Sequence, residues 1–212
     1  MKKGAKFTRT PSDDHGGERN LTPMLEPTET RLQGLLAPEE TPRLLLRLPR
    51  AEDAETLFRT VRGSHQSLSQ FLSWCTQDYA LGDAIAWLRD AEAAAHAHQG
   101  FHYLLFERLT GDLVGCCGLS EVEPSGAWNL GYWVRKQSEG RGYASEAAHA
   151  VLARARQTGG IAKVEIRMLM SNDASQRVAI KSGGRYEGVR EDVIQLHGRN
   201  WPALIYVHDF ST

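Results

Sequence analysis

The stretch from Gly131 to Ala155, GYWVRKQSEGRGYASEAAHAVLARA, constrains the fold of this chain more than any other. An apolar run ends at Val134, a charged loop with Gly140 and Gly142 follows, and apolar residues then recur at helical spacing. The recurring positions are Ala144, Ala147, Ala148, Val151, Leu152 and Ala155. The pattern predicts a strand, a glycine-containing loop and a helix in direct succession.

A loop that leads into a helix in this way is a favourable place to bind an anion. The N–H groups of the first helical turn have no partner inside the helix, and the helix dipole adds partial positive charge. Glycine lets the backbone approach a pyrophosphate without an intervening Cβ. Three basic residues of the loop could add charge: Arg135, Lys136 and Arg141.

Three glycine patterns compete for this loop. The dinucleotide pattern G-x-G-x-x-G fails at Ser145, and the phosphate-binding pattern G-x-x-x-x-G-K-[ST] is absent. The pattern Q-x-x-G-x-G is met in full by Gln137, Gly140 and Gly142. These six residues alone agree equally well with a glycine turn that binds no ligand.

The rest of the compact chain alternates predicted helices with a sheet rich in hairpins, which predicts an α/β (α+β) fold. Period-two or continuous apolar runs predict strands at 43–48, 101–108, 111–119, 127–135, 162–170 and 203–210. Helical periodicity predicts further helices at 50–61, 81–99 and 171–184. Trp74 and Trp87 are assigned mainly to core packing.

Composition bounds the remaining possibilities. Residues 1–40 are rich in Pro, Gly, Thr and acidic residues, so we expect a disordered extension whose removal through residue 38 leaves the 41–212 domain folded. No apolar run reaches the ~20 residues of a membrane span, and no apolar stretch follows the basic N-terminus. The three cysteines form no CxxC pair. We therefore expect a cytoplasmic protein without a structural metal or a membrane partner.

Charge is unevenly distributed along the chain. Residues 51–126 carry 4 Lys/Arg against 11 Asp/Glu, whereas residues 135–185 carry 10 against 4. The basic half suits a ligand that bears phosphates, and the acidic half suits a cationic one. No arginine-rich run or stacking pattern indicates a nucleic-acid partner.

From about Thr41 to Phe210 the chain resembles the GNAT superfamily of N-acetyltransferases, and most closely its RimJ/RimL branch of ribosomal-protein N-terminal acetyltransferases. The segments that carry the resemblance are TPRLLLRLPRAEDAETLF, NLGYWVRKQSEGRGYASEA, NDASQRVAIKSGG with RYEG, and HGRNW. The resemblance implies a mixed, mostly antiparallel sheet flanked by helices, whose strands splay where acetyl-CoA enters. It also implies a monomer or homodimer.

The resemblance further implies which residues hold acetyl-CoA. The loop from Glu139 to Ala144 would bind the pyrophosphate, and the end of the preceding strand would pair with the pantetheine arm. Two residues of the next helix would lie beside the pantetheine and the sulfur. The implied residues are Trp133, Val134, Arg135, Gln137, Glu139, Gly140, Arg141, Gly142, Tyr143, Ala144, Asn172 and Ser175.

The implied reaction is direct acetyl transfer from the thioester to a primary amine, and two common family residues are missing. Ala179 stands where many relatives have a tyrosine acid, and Asn129 stands where many have a glutamate. Ser175 is the remaining candidate acid, Glu191 is the candidate base, and Asp192 is its rival.

The acceptor is the least determined part of the reaction. A site without a strong base favours an α-amine, with a pKa near ~8, over a lysine, with a pKa near ~10.4. We therefore expect the N-terminus of a ribosomal or other protein as the acceptor. A polyamine, an aminoglycoside and a non-catalytic module that binds acetyl-CoA remain alternatives, and a nucleotide-dependent oxidoreductase is a third class.

Overall fold

The computed structural model describes residues 27–122 and 125–211. The helices are α1 Pro27–Leu32, α2 Ala54–Arg62, α3 His65–Leu68, α4 Leu81–His96, α5 Tyr143–Thr158 and α6 Asp173–Lys181. Short 3-10 turns lie at Gln33–Leu36, Ala51–Asp53 and Lys136–Ser138. The strands are β1 Glu39–Glu40, β2 Leu44–Arg47, β3 Gly100–Glu107, β4 Leu113–Val122, β5 Ala127–Val134, β6 Lys163–Leu169, β7 Arg185–Leu196 and β8 Arg199–Asp209.

The strands form one sheet in the order β1-β2-β3-β4-β5-β6-β8-β7. Among the described pairings only β5 with β6 is parallel, and all others are antiparallel. The parallel step follows from α5, which carries the chain over the sheet between these two strands. The predicted mixed, mostly antiparallel sheet is confirmed.

Strands β5 and β6 separate soon after they meet. Their register contains two pairs only, Trp128 with Val164 and Asn129 with Glu165. On its other side β5 stays paired with β4 along its whole length, from Ala127 to Val134. The β6-facing edge of β5 beyond Asn129 is therefore left without a neighbouring strand, and this opening is the predicted splay.

Helices cover both faces of the sheet. The apolar stripe of α5 packs on one face, where Ala147, Ala148, Val151, Leu152 and Ala155 are all buried. Helices α2 and α4 pack on the other face through Leu57, Val61, Ala84 and Leu88. The predicted strand 162–170 is shorter in the structure, because β6 ends at Leu169 and Met170 is exposed.

The predicted extension 1–40 needs a correction for its second half. Residues 1–26 lie outside the described residues, but residues 27–36 form α1 and a 3-10 turn that pack against α5. Leu32 and Leu35 are buried in the main core, and the carbonyl of Leu35 accepts a hydrogen bond from the Tyr103 hydroxyl (2.6 Å). The overall polar composition of residues 1–40 gave no indication of the leucines at 32 and 35, which belong to the core.

Leu35→Ala is therefore expected to lower the free energy of unfolding by about 3 kcal/mol, because the fully buried side chain would leave a cavity. Urea denaturation measures the change. Leu109→Ala is the control, since that side chain is 93% exposed and its loss should stay within about 0.5 kcal/mol. Equal stability of both variants would show that this segment does not contribute to the core.

Candidate functional site

The loop between β5 and α5 has the backbone shape that the glycines predict. Gly140 and Gly142 have φ angles of 73° and 83°, in a left-handed region that residues with a Cβ rarely adopt. Gly142 is the N-cap of α5 and, because it has no side chain, it cannot hydrogen-bond to the N–H groups of the first helical turn. Among the described residues no acceptor pairs with the N–H groups from Gly140 to Ser145. The loop thus presents a row of free donors at the positive end of a helix.

Two residues from the start of the domain hold this loop in place. The Arg43 guanidinium donates to the Arg141 carbonyl (2.8 Å) and to a Glu146 carboxylate oxygen (2.6 Å). The Thr41 hydroxyl donates to the other Glu146 oxygen (2.6 Å). Burial opposes ionisation of Glu146, but the hydrogen bonds from Thr41 and Arg43 outweigh it and hold the pKa of this carboxyl below its usual value.

Tyr143 fixes the first turn of α5 to β3. Its ring is buried, and its hydroxyl donates to the carboxylate of Glu107. This hydrogen bond raises the pKa of Tyr143 and lowers that of Glu107. The Arg43 guanidinium lies 4.7 Å from the centre of the Tyr143 ring. The helix start is therefore rigid before any ligand arrives.

Part of the positive charge predicted for the loop is already paired. Arg135 donates to Asp112 and to Ser138, each at 3.0 Å. The Lys136 ammonium lies 2.7 Å from the Glu139 carboxylate. Arg135 and Lys136 are therefore already paired, and Arg141 interacts with Tyr143 and Glu107, so the free backbone N–H groups are the main donors left for an anion.

A hydroxyl pair spans the opening between β5 and α6. The hydroxyls of Tyr132 and Ser175 are 2.8 Å apart, and the Tyr132 hydroxyl also lies 3.1 Å from the Ser175 carbonyl. Asn172 caps α6 by accepting from the Ser175 N–H at 3.0 Å. Burial raises the pKa of Tyr132, so its hydroxyl stays protonated. Tyr132 was not among the predicted site residues, because only the splay brings it opposite α6.

A cavity of about 420 Å³ opens on the face of the sheet that α2 and α4 cover. Its walls are mainly apolar and aromatic, including Trp74 and Trp87, which the sequence assigned to core packing. Asp83 supplies a carboxylate to the wall. The cavity reaches Gly131, Tyr132 and Trp133 on β5, and so adjoins the strand edge left free by the splay.

The floor of this cavity carries three polar side chains on neighbouring strands: His102 on β3, Ser120 on β4 and Asn129 on β5. Ser120 pairs across the sheet with Asn129, and its hydroxyl lies 3.5 Å from the Nε2 atom of His102. The side-chain oxygen of Asn129 is buried and has no hydrogen-bond partner. We refer to these three residues as the polar floor.

The predicted base candidates lie elsewhere. Glu191 is exposed on β7 and does not line the cavity, and its neighbour Asp192 is exposed with a φ of 57°. Both fall in an irregular stretch of the β7–β8 ladder between Arg190 and Ile194. The structure does not bring either carboxylate to the polar floor.

The carboxylate that does lie beside the polar floor is Glu165 on β6, the register partner of Asn129. Its side chain is 3% exposed and binds Arg167 (2.7 Å) and Arg190 (3.0 Å). Burial alone would raise its pKa, but the hydrogen bonds from Arg190 and Arg167 outweigh that and hold the pKa at about 2. Glu165 is therefore a permanently ionised structural group at physiological pH.

Two classes of site find no support among residues 27–122 and 125–211. No group of three or more His, Cys, Asp or Glu side chains there has the arrangement to hold a metal ion. No helix in the same ranges is long and apolar enough to cross a bilayer.

Comparisons with known proteins agree on one family. The profile described as "Acetyltransferase (GNAT) domain" matches residues 43–185. The chain is 23% identical over 168 residues to YoaA, an uncharacterized N-acetyltransferase of Bacillus subtilis (strain 168). This alignment covers 79% of this chain and 93% of YoaA. It is 28% identical over 78 residues to a ribosomal-protein-serine acetyltransferase of Escherichia coli (strain K12), which covers 36% of this chain and 44% of the relative.

A solved structure extends the likeness to the fold. RimL, a ribosomal α-N-protein acetyltransferase in complex with coenzyme A, superposes with a TM-score of 0.74 at 21% identity. The alignment covers 81% of this chain and 96% of RimL.

Proposed function

The chain belongs to the GNAT acetyltransferase family, and on that premise we propose that it transfers the acetyl group of acetyl-CoA to the α-amine at the N-terminus of a protein. Acetyl-CoA-dependent acyl transfer follows from the family. The acceptor and the residue roles below are the parts that we propose. The main supporting observation is the row of free N–H groups beside an unpaired strand edge.

We assign the donor site to residues that the resemblance implies. The free N–H groups from Gly140 to Ala144, with the Arg141 side chain, would hold the pyrophosphate. The unpaired edge of β5 at Trp133 and Val134 would pair with the amides of the pantetheine arm as a neighbouring strand does, whereas the N–H of Arg135, which follows the strand, already donates to the Val114 carbonyl (2.8 Å). A backbone N–H near Val134 would then donate to the developing oxyanion.

Ser175 would assist the departing thiolate. A thiol resembling that of cysteine has a pKa near ~8.5, so it leaves without a strong acid. The hydrogen bond between the Ser175 and Tyr132 hydroxyls supplies a protonated pair at the splay. The buried tyrosine therefore takes part of the role of the acid that Ala179 cannot fill.

The acceptor site would be the cavity above the polar floor. Its volume of about 420 Å³ lies in the range of small-ligand pockets, about 300–1,000 Å³, so it has room for the first residues of a peptide. The acidic balance of residues 51–126, part of which forms the helical wall of the cavity at 57–87, would attract a cationic chain terminus. An N-terminal serine is suggested by the E. coli relative.

Release of free CoA in the presence of a panel of amines tests this proposal. The panel contains a lysine-free peptide that begins with serine, the same peptide with a blocked N-terminus and one internal lysine, spermidine and kanamycin. We expect kcat/KM at pH 7.4 to be about a hundredfold higher for the serine peptide than for the lysine peptide. At that pH roughly 20% of an α-amine is neutral, against about 0.1% of a lysine.

Two outcomes would contradict the proposal. Faster transfer to spermidine or kanamycin would make the protein an acetyltransferase of small amines. Tight binding of acetyl-CoA with no transfer to any amine would leave a non-catalytic binding module. A further peptide with a blocked N-terminus and no lysine is the control, and it should release no CoA above the rate of thioester hydrolysis.

A further inference from the structure

We propose that the acceptor amine binds as an ammonium ion above Gly131, between His102 and Asn129, and that His102 removes its proton. This inference rests on the proposed function, because it concerns how the same site uses an acceptor that arrives charged. It gives the base role to a residue that the sequence pattern did not single out.

The glycines of the floor create the space for this arrangement. The imidazole of His102 lies over Gly118, where an added Cβ would stand 2.6 Å from its Nδ1 atom. Gly118 pairs with Gly131 on the next strand, and a Cβ at Gly131 would meet nothing closer than the Nδ2 atom of Asn129 at 3.8 Å, with the Oδ1 atom of the same amide beyond 4 Å. Neighbouring strands are about 4.8 Å apart, so the open position above Gly131 is wide enough for one amine nitrogen beside the ring.

The two side chains that flank this position offer complementary chemistry. The Asn129 side-chain oxygen is buried without a donor, which is costly unless a ligand supplies one. An ammonium group supplies three N–H donors. The Ser120 hydroxyl on one side of the imidazole and the Trp87 ring, 5.8 Å from its centre, hold His102 over the glycine.

The proton balance of the reaction is complete with these groups. The bound ammonium gives one proton to the neutral His102 ring, and its nitrogen then attacks the thioester carbonyl. The C–N bond forms, the C–S bond breaks, and the second nitrogen proton leaves for the thiolate by way of the Ser175 hydroxyl. His102 returns its proton to solvent, so the products are the N-acetyl group, CoA thiol and one proton.

His102 has the properties of a base at physiological pH. Burial lowers its pKa, so the ring is neutral and able to accept. The other ionisable groups of the cavity wall are Tyr79 and Asp83 at the start of α4, Cys116 on β4 and Tyr132 on β5. Burial raises the pKa of Tyr79 and of Cys116 to about 12 each and that of Tyr132 as well, so Asp83 is the one acidic group among them.

The pH profile of His102→Gln against the serine peptide tests the inference. In the wild type, kcat/KM should stay level from the lowered histidine pKa up to the amine pKa. In this range His102 is neutral and the amine is protonated, so the two groups together carry the one proton that the reaction requires. In the variant only the neutral amine reacts, so kcat/KM should rise about tenfold per pH unit up to an amine pKa near ~8. The loss should therefore be about thirtyfold near pH 6.5 and should shrink towards pH 9.

Two further measurements and two further variants separate a loss of the base from a loss of folding or of acetyl-CoA binding. The melting temperature and the acetyl-CoA affinity of His102→Gln should match the wild type, and His102→Asn should repeat its profile if the Gln variant is unstable. His96→Gln, at the exposed end of α4, is the histidine control and should leave the profile unchanged. A wild type that acetylates the peptide while both His102 variants keep its pH profile would overturn the inference alone. A wild type that acetylates no amine would overturn the proposed function with it.

Discussion

Gly142→Asp is expected to raise the dissociation constant for acetyl-CoA by at least about a hundredfold. A residue with a Cβ at this position has to adopt a φ of 83°, which costs about 1–2 kcal/mol. The carboxylate would also lie among the N–H groups that would bind the pyrophosphate, repel its charge and compete for its donors. The loss of charge-assisted hydrogen bonds, about 1.5–3 kcal/mol each, brings the total to the stated change.

Isothermal titration with acetyl-CoA measures this effect, and α5 itself provides the matched control. Gly159, the C-cap of the same helix, has a φ of 63° and open space around a Cβ. Gly159→Asp therefore introduces the same strain and charge about 24 Å away, at the other end of a 16-residue helix. Equal affinities of the two variants would separate the glycine loop from the donor site. Gly142→Ala should fall between them, because it adds strain without charge.

Glu165→Gln is expected to destabilise the fold by about 3 kcal/mol at pH 7, because it leaves Arg167 and Arg190 without their shared carboxylate. The folded-state pKa of Glu165 is about 2, below its usual value of 4.5, so folding favours its ionised form. Its contribution is therefore complete above pH 4.5 and is lost as the pH falls towards 2. The difference in unfolding free energy between wild type and variant should shrink across that window.

Urea denaturation at pH 7, 5, 4 and 3 measures the difference. Glu187→Gln is the control, because Glu187 belongs to the same ionic network but is more exposed, and its change should stay within about 0.5 kcal/mol. A constant difference between wild type and Glu165→Gln at all four pH values would show that the Glu165 charge does not stabilise the fold.

The sequence predicts the secondary structure around the proposed donor side because that part is local in the chain. The strand, the glycine loop and the helix stripe follow one another between Gly131 and Ala155, and each has its own periodicity or turn signal. The N-cap at Asn172 is equally local. A short-range pattern is enough wherever neighbouring residues build the feature.

The residues of the proposed acceptor side are not neighbours in the chain, and the sequence does not bring them together. His102, Ser120 and Asn129 meet only through the register of three strands, and Tyr132 meets Ser175 only across the splay. Strand β7 was missed for a different reason. It is an edge strand with mostly exposed residues, so it lacks the apolar alternation that marks a half-buried strand.

The two halves of the site also come from different parts of the chain. The wall of the cavity is built by residues 57–87, before β3, whereas the glycine loop and the start of α5 are built by residues 135–146. Strand β5 borders both parts. Its residues line the cavity, and its unpaired edge belongs to the proposed donor side. Under the proposed assignment, substitutions in residues 57–87 would alter acceptor choice without touching the loop proposed to bind acetyl-CoA.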